Sequence, residues 1–217
     1  MTQELGLRER KKLEMRRTLA ATAMRLFAER GFDAVTVADI AAAVDVSVKT
    51  VFNYFPTKED LVLSNREEIE EDLLRTVRER APGESVLAAV RWHTLETAAR
   101  IRAVPPERRV AFHKVMQSSP SVQARFRELL RSREETLARL ITEETQEPTD
   151  DIAPSIVAGL LGVVGRLAFC DVTGWPDGGR RSPERISEEI HRAFDLLEKG
   201  LATYGVRSPA WEPSGQP

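Results

Sequence analysis

Between residues 47 and 58 the chain sets Ser47, Lys49, Thr50, Asn53 and Tyr54 at helical spacing, with Pro56 and Lys58 just beyond them. Short hydroxyls, an amide and a cation on the first turns of a helix let its backbone enter the major groove of duplex DNA. There the base edges offer a distinct pattern of donors and acceptors. Lys49 is the expected base reader, with Ser47, Val48, Thr50, Asn53 and Tyr54 sharing base and phosphate contacts. Thr36 and Lys58 are expected to fix register on the sugar-phosphate backbone, and Arg16 and Arg17 to anchor phosphates from an N-terminal arm.

Positioning these groups needs a helix, a tight turn and a second helix. Thr36 and Asp39 form a capping pair ahead of the apolar positions Val37, Ile40, Ala41 and Val44. Asp45 and Val46 make the turn. Ser47 caps a second helix with an expected buried stripe of Val48, Val51, Phe52 and Phe55, and Pro56 ends it. Thr57 and Asp60 repeat the capping pair, so a third helix starts at Lys58. Upstream, Arg8, Arg10, Lys11, Lys12, Arg16 and Arg17 are interrupted only by Glu9 and Glu14 among charged residues. That is a local basic patch in a chain whose formal net charge is only -2, so attraction to a polyanion is confined to one end.

Elsewhere apolar residues recur at three and four, and no stretch alternates as a strand does; the fold class is all-α. Three histidines and one cysteine lack the paired spacings of a zinc site and provide no nucleophile with an adjacent base. Neither an enzyme, nor a bound metal, nor a cofactor is therefore expected. The single Cys170 excludes an internal disulfide and fits a cytoplasmic location. No apolar run reaches the roughly 20 residues that span a bilayer, and the N-terminal helix is charged, so no membrane partner is expected.

The basic arm, Gly31-Phe32, Thr36, Ile40, Ala41, Val46 and the run Ser47-x-x-Thr50-x-x-x-Tyr54-Phe55-Pro56-x-Lys58-Glu59-Asp60-Leu61 resemble the tetracycline-repressor (TetR-type) family across about residues 10 to 63. Phe52 departs from it, standing where the family often has tyrosine. The resemblance implies an N-terminal three-helix helix-turn-helix head followed by a larger helical ligand-binding and dimerisation domain. It also implies a homodimer on a palindromic operator in double-stranded DNA, and a repressor released by a small-molecule effector. The contrasting reading is a helical protein-protein interaction module that keeps the head as a scaffold.

On this plan residues 1–56 are the DNA-binding domain with its arm, 57–82 a connecting helix ended by Pro82-Gly83, 83–205 the effector and dimerisation domain, and 206–217 a disordered tail. Small residues recur along one helix at Ala158, Gly159, Gly162, Gly165 and Ala168, which suggests close helix approach. By analogy with the family, Gly159, Gly162, Gly165, Ile190, Phe194 and Leu197 are assigned to the dimer interface as a four-helix bundle. Trp92, Leu95, Phe112, Met116, Phe126 and Leu129 are the candidates for an apolar effector pocket, with His93 and His113 as polar handles. The C-terminal half loosely resembles family members that sense acyl-thioester-like ligands, which implies an effector of that kind as an alternative to a small apolar one, with Arg100, Arg102, Arg108 and Arg109 expected to meet its phosphate.

Overall fold

The computed structural model describes residues 6–145, 151–173 and 182–200, and these form ten helices with no strand among them. The last residues expected in the 83–205 domain and the tail expected at 206–217 lie outside the described residues. Helix α1 (Leu7–Arg30) ends at Gly31, whose φ of 89° suits a residue without a side chain. Helices α2 (Val37–Val44) and α3 (Val48–Tyr54) flank Asp45, which takes the left-handed conformation at φ 57° and ψ 49°. Aspartate is one of the few side chains that tolerate it. Thr36 and Thr57 each complete a capping box, with Asp39 and Asp60 respectively, and the Ser47 hydroxyl accepts from the Thr50 amide.

The expected connector from Lys58 to Arg80 is two helices, α4 (Lys58–Val62) and α5 (Arg66–Arg78). Leu63 and Asn65 stand at ψ 23° and 3°, off the helical value, and Ser64 lies between them. Serine and asparagine compete with the backbone for hydrogen bonds, and here the Ser64 carbonyl is taken by the Arg16 guanidinium at 3.2 Å. The body adds α6 (Val86–Ala103), α7 (Pro106–Ser118), α8 (Pro120–Thr145), α9 (Ala153–Thr173) and α10 (Pro183–Glu198).

Two apolar cores result, and they divide at this kink. Leu61, Val62 and Leu63 join Leu19, Phe27, Ile40 and Phe55 of the head, whereas Leu73 and Val77 join Val90, Leu137, Leu161 and Phe194 of the body. The head's core also takes in Val115, Met116, Val122 and Phe126 from α7 and α8. The head is thus rooted in the body through side chains far from it in sequence. The Arg125 to Asp60 ion pair, at 2.8 Å, adds a polar tie from α8 to the first turn of α4.

Candidate DNA-binding face and effector cavity

On α3 the buried side is Val51 with the flanking Phe55, while Ser47, Val48, Lys49, Phe52 and Asn53 face solvent. The expected buried stripe was thus half wrong. Val48 and Phe52 are 40% and 46% exposed, one turn apart, and stand beside Lys49. An apolar pair on that face suits the thymine methyl groups of the major groove, so Phe52 joins the candidate contacts. Thr50 and Tyr54 are half-buried. They share a groove with Asn53 and with Leu7, Arg8, Lys11, Lys12 and Met15 of α1. The arm therefore lies directly beside α3. Its cations facing that groove are Arg8, Lys11 and Lys12 of the basic patch, rather than the expected Arg16 and Arg17. Arg17 is exposed and available to a phosphate.

Two expected DNA contacts are engaged elsewhere. Arg16 donates to the Tyr54 carbonyl at 2.7 Å, to Ser64 and to Glu67, and its guanidinium stacks over Phe55 at 4.4 Å. It fastens the C-terminal end of α3 to the kink before α5. The Lys58 ammonium donates to the Phe32 and Val35 carbonyls at 2.9 and 3.0 Å and lies over the Phe32 ring at 4.0 Å. It closes the loop ahead of α2. Thr36 is exposed, but its hydroxyl donates to Asp39, and that bond holds the Asp39 carboxyl below its ordinary pKa.

Within the body an internal cavity of about 30 Å³ opens between α5, α6, α8 and α9. Arg66, Arg133, His93 and Thr97 face it, with Ile69, Ile101, Ala168 and Phe169 among its apolar lining. Burial, together with the neighbouring charges of Arg133 and Arg100, pulls the His93 pKa down to about 4. The ring is therefore neutral at physiological pH, and its Nε2 lies 3.4 Å from the Thr97 hydroxyl. Of the expected effector residues none lines this cavity. Trp92 is 57% exposed on a surface cleft, Leu95 packs on the body core, and Phe112, Met116, Phe126 and Leu129 fill the core shared with the head. Aromatic and methionine side chains at helical spacing served packing here, whereas arginines, which normally sit at the surface, turn inward. Arg100 is paired with Asp72, and Arg102, Arg108 and Arg109 do not line the cavity. The His113 Nδ1 is buried without a hydrogen bond and likewise stands apart from it. Among the described residues no group of three or more His, Cys, Asp and Glu side chains could hold a metal.

His93 makes stability pH-dependent in a definite direction. An unfolded chain takes up the imidazole proton near 6.5, whereas the folded chain resists it until about 4. Stability is complete above pH 6.5 and falls by about 1 to 3 kcal/mol as pH drops from 6.5 to 4. His93→Gln removes this contribution, so its melting temperature should decline less between pH 7.5 and pH 5 than the parent's; identical slopes would refute the assignment.

Comparison with known proteins bears on both regions. Residues 19–64 match the family model for bacterial regulatory proteins of the tetR family. Over 202 residues the chain is 30% identical to the HTH-type transcriptional regulator TcmR of Streptomyces glaucescens, covering 90% of this chain and 88% of that protein. The chain belongs to the TetR family. Its head is 52% identical over 50 residues to the HTH-type transcriptional regulator LuxR of Vibrio harveyi, a match covering 23% of this chain and 24% of that one. Among solved structures, the SmeT-triclosan complex superposes with a TM-score of 0.55 at 16% identity, covering 93% of this chain and 98% of that one. NalD of Pseudomonas aeruginosa, a secondary repressor of the MexAB-OprM multidrug efflux pump, gives 0.55 at 18% identity, with coverages of 84% and 96%. These two likenesses show the fold. The TetR-family chain is accordingly a DNA-binding transcription regulator built on an all-helical frame.

In this TetR-family protein α9 carries 18 residues, Ala153–Cys170, with a mean hydropathy of 1.7, long and apolar enough by composition to cross a membrane. It packs instead along α6, α8 and α10 and leaves one stripe outward: Ile152, Ile156, Leu160, Val163 and Leu167, each at least 37% exposed. Leu196 of α10 is also exposed, at 47%. The interface residues expected from sequence are mostly on the wrong side. Ile190 and Phe194 are 4% and 0% exposed, filling the body's own core. A Cβ at Gly162 would collide with the Glu134 side chain, and one at Gly165 would lie 3.3 Å from the Arg133 guanidinium. Those glycines admit α8 of the same chain. Gly159 has open space around it, and Leu197 is half-buried.

Proposed function

We propose that the protein is a dimeric, ligand-responsive repressor that reads a palindromic operator with two copies of α3. The supporting observation is the single face formed by Val48, Lys49, Phe52 and Asn53 of α3 next to Arg8, Lys11 and Lys12 of the arm. Base-reading and phosphate-binding groups are adjacent there, as a major-groove binder requires. TetR-family regulators are typically ligand-responsive repressors, and the body holds a small cavity of about 30 Å³. A second copy would cover the α9 stripe and set two recognition helices about 34 Å apart, one helical turn of DNA.

Selection of binding sequences from random duplexes should return an inverted repeat with half-sites about one turn apart. Lys49→Ala should relax preference at particular base pairs of that repeat and weaken binding by about 1 to 3 kcal/mol. Lys11→Ala should instead weaken all duplexes alike and lower the slope of log affinity against log salt by about 0.9. Loss of affinity in both variants with preference and slope unchanged would refute these contacts. Failure to enrich any sequence would revive the reading of a helical protein-interaction module.

A further inference from the structure

Arg66 is the first residue of α5. Its guanidinium lies over Phe169 and Phe126, 4.0 and 4.6 Å from the ring centroids, and lines the cavity. Arg133 enters the same cavity from α8, where Gly165, lacking a side chain, leaves room for it against α9. Among the described residues neither guanidinium makes a hydrogen bond or an ion pair. No carboxylate lines the cavity; Glu70 and Glu134 act on Arg133 only at a distance. Burial, and then the charge of Arg133, lower the Arg66 pKa to about 9 against an opposing effect of Cys170, which still leaves Arg66 charged at neutral pH; burial likewise lowers that of Arg133. Two like charges therefore border one small space whose own lining holds no carboxylate, and their repulsion is offset only by groups outside that lining.

We infer that this cavity receives the carboxylate of an acidic effector with an apolar remainder, its two oxygens held between Arg66 and Arg133. The inference rests on the reading of a ligand-responsive regulator and names the chemistry of its ligand. A planar, singly charged carboxylate matches the guanidinium fork and can be bonded at both oxygens. The space of about 30 Å³ admits a group of that size and little more. Thr97 and the neutral His93 supply hydrogen-bonding groups beside it. Ile101, Ala168 and Phe169 make the remaining wall apolar, which favours a hydrocarbon or aryl tail over a hydrated inorganic ion. Such a tail fits only if the helices around it separate.

That separation has an outlet in the head. Arg66 adjoins Glu67 and is two residues from Ser64, and both of these hold Arg16, which in turn grips the Tyr54 carbonyl at the end of α3. A ligand that draws Arg66 inward acts on the kink that positions the recognition helix. It favours the displaced state by its extra affinity for that state.

The test uses the full chain and two probe pairs, decanoate with decanamide and 3-phenylpropionate with its amide, read by calorimetry and by melting temperature, with inorganic sulfate as a third arm. At least one acid should bind about tenfold or more tighter than its amide, the difference expected of a charge-assisted pair. Arg66→Met combined with Arg133→Met should erase that preference, and should raise the melting temperature of the ligand-free protein by removing the mutual repulsion. The second readout needs no ligand and also shows that the variant folds. Equal binding of acid and amide, an acid preference that survives the double variant, or sulfate binding in place of both acids would each overturn the inference. Operator selection run in parallel separates the two readings: DNA binding with no response to acids refutes only the effector chemistry, and acid binding without any operator refutes only the regulator.

Discussion

Val163→Glu should convert the protein to a monomer in solution and reduce operator affinity by about 100-fold or more. The side chain is 43% exposed in the middle of the α9 stripe, with Leu160 and Leu167 on either side of it along the same face. A carboxylate there meets water in the monomer and so costs the fold little, within about 0.5 kcal/mol for an exposed site. In a two-fold interface it meets its own symmetry mate, and two buried like charges are intolerable without partners. Losing the partner leaves one recognition helix on one half-site, and the gain from linking two sites, of order 10² to 10⁴, disappears. Sedimentation analysis and titration of the selected operator check both halves. A Val163→Glu protein that sediments as a dimer would remove α9 from the interface. Phe194→Ala offers the contrast: at 0% exposure it should cost about 3 to 5 kcal/mol of stability, whatever the oligomeric state.

How much of this was legible in the sequence depended on the range of the interaction concerned. The caps of α2, α3 and α4 are contacts across three residues, so Thr36, Ser47 and Thr57 announced the helix starts without help from the fold. The rotational phase of α3 was harder. In a helix of 7 residues, Val51 and Phe52 are equally good guesses for the core, and only packing against α1 and α2 decides that Val51 is buried and Phe52 exposed. Glycines at 162 and 165 correctly signalled a close approach to α9, but nothing local said that α8 rather than a second subunit makes it. The break at Ser64-Asn65 was hidden because apolar spacing continues through it, from Leu61 to Ile69. Long-range use of charge was least visible. Nothing local sets Arg66 and Arg133 apart from the chain's other helical arginines, and their convergence on one cavity depends on the packing of α5 against α8. Lys58, next to a predicted helix start, looked free for a phosphate until the Phe32 and Val35 carbonyls claimed it.

Arg16 sharpens the same point into an experiment. Arg16→Ala should weaken operator binding strongly while leaving its salt dependence unchanged, the opposite of what a basic arm residue would do. The guanidinium is only 24% exposed and satisfies two backbone carbonyls, Tyr54 and Ser64, besides pairing with Glu67. The Glu67 pair adds little, because that carboxylate is 68% exposed and screened by solvent. The carbonyl bonds matter more, since a truncated arginine leaves both without their donor and leaves the Phe55 ring without its stacked cation. A loss of about 2 to 4 kcal/mol in head stability is expected. Because the bonds fix the end of α3 against the kink, recognition suffers through misplacement of Lys49 and Phe52. A phosphate contact releases counterions and steepens the salt slope by about 0.9; a clamp inside the protein releases none. Measured side by side, Lys11→Ala should flatten that slope with the melting temperature unchanged, and Arg16→Ala should lower the melting temperature with the slope unchanged. A flattened slope for Arg16→Ala with an unchanged melting temperature would return Arg16 to the DNA and dissolve the link from the cavity to the recognition helix.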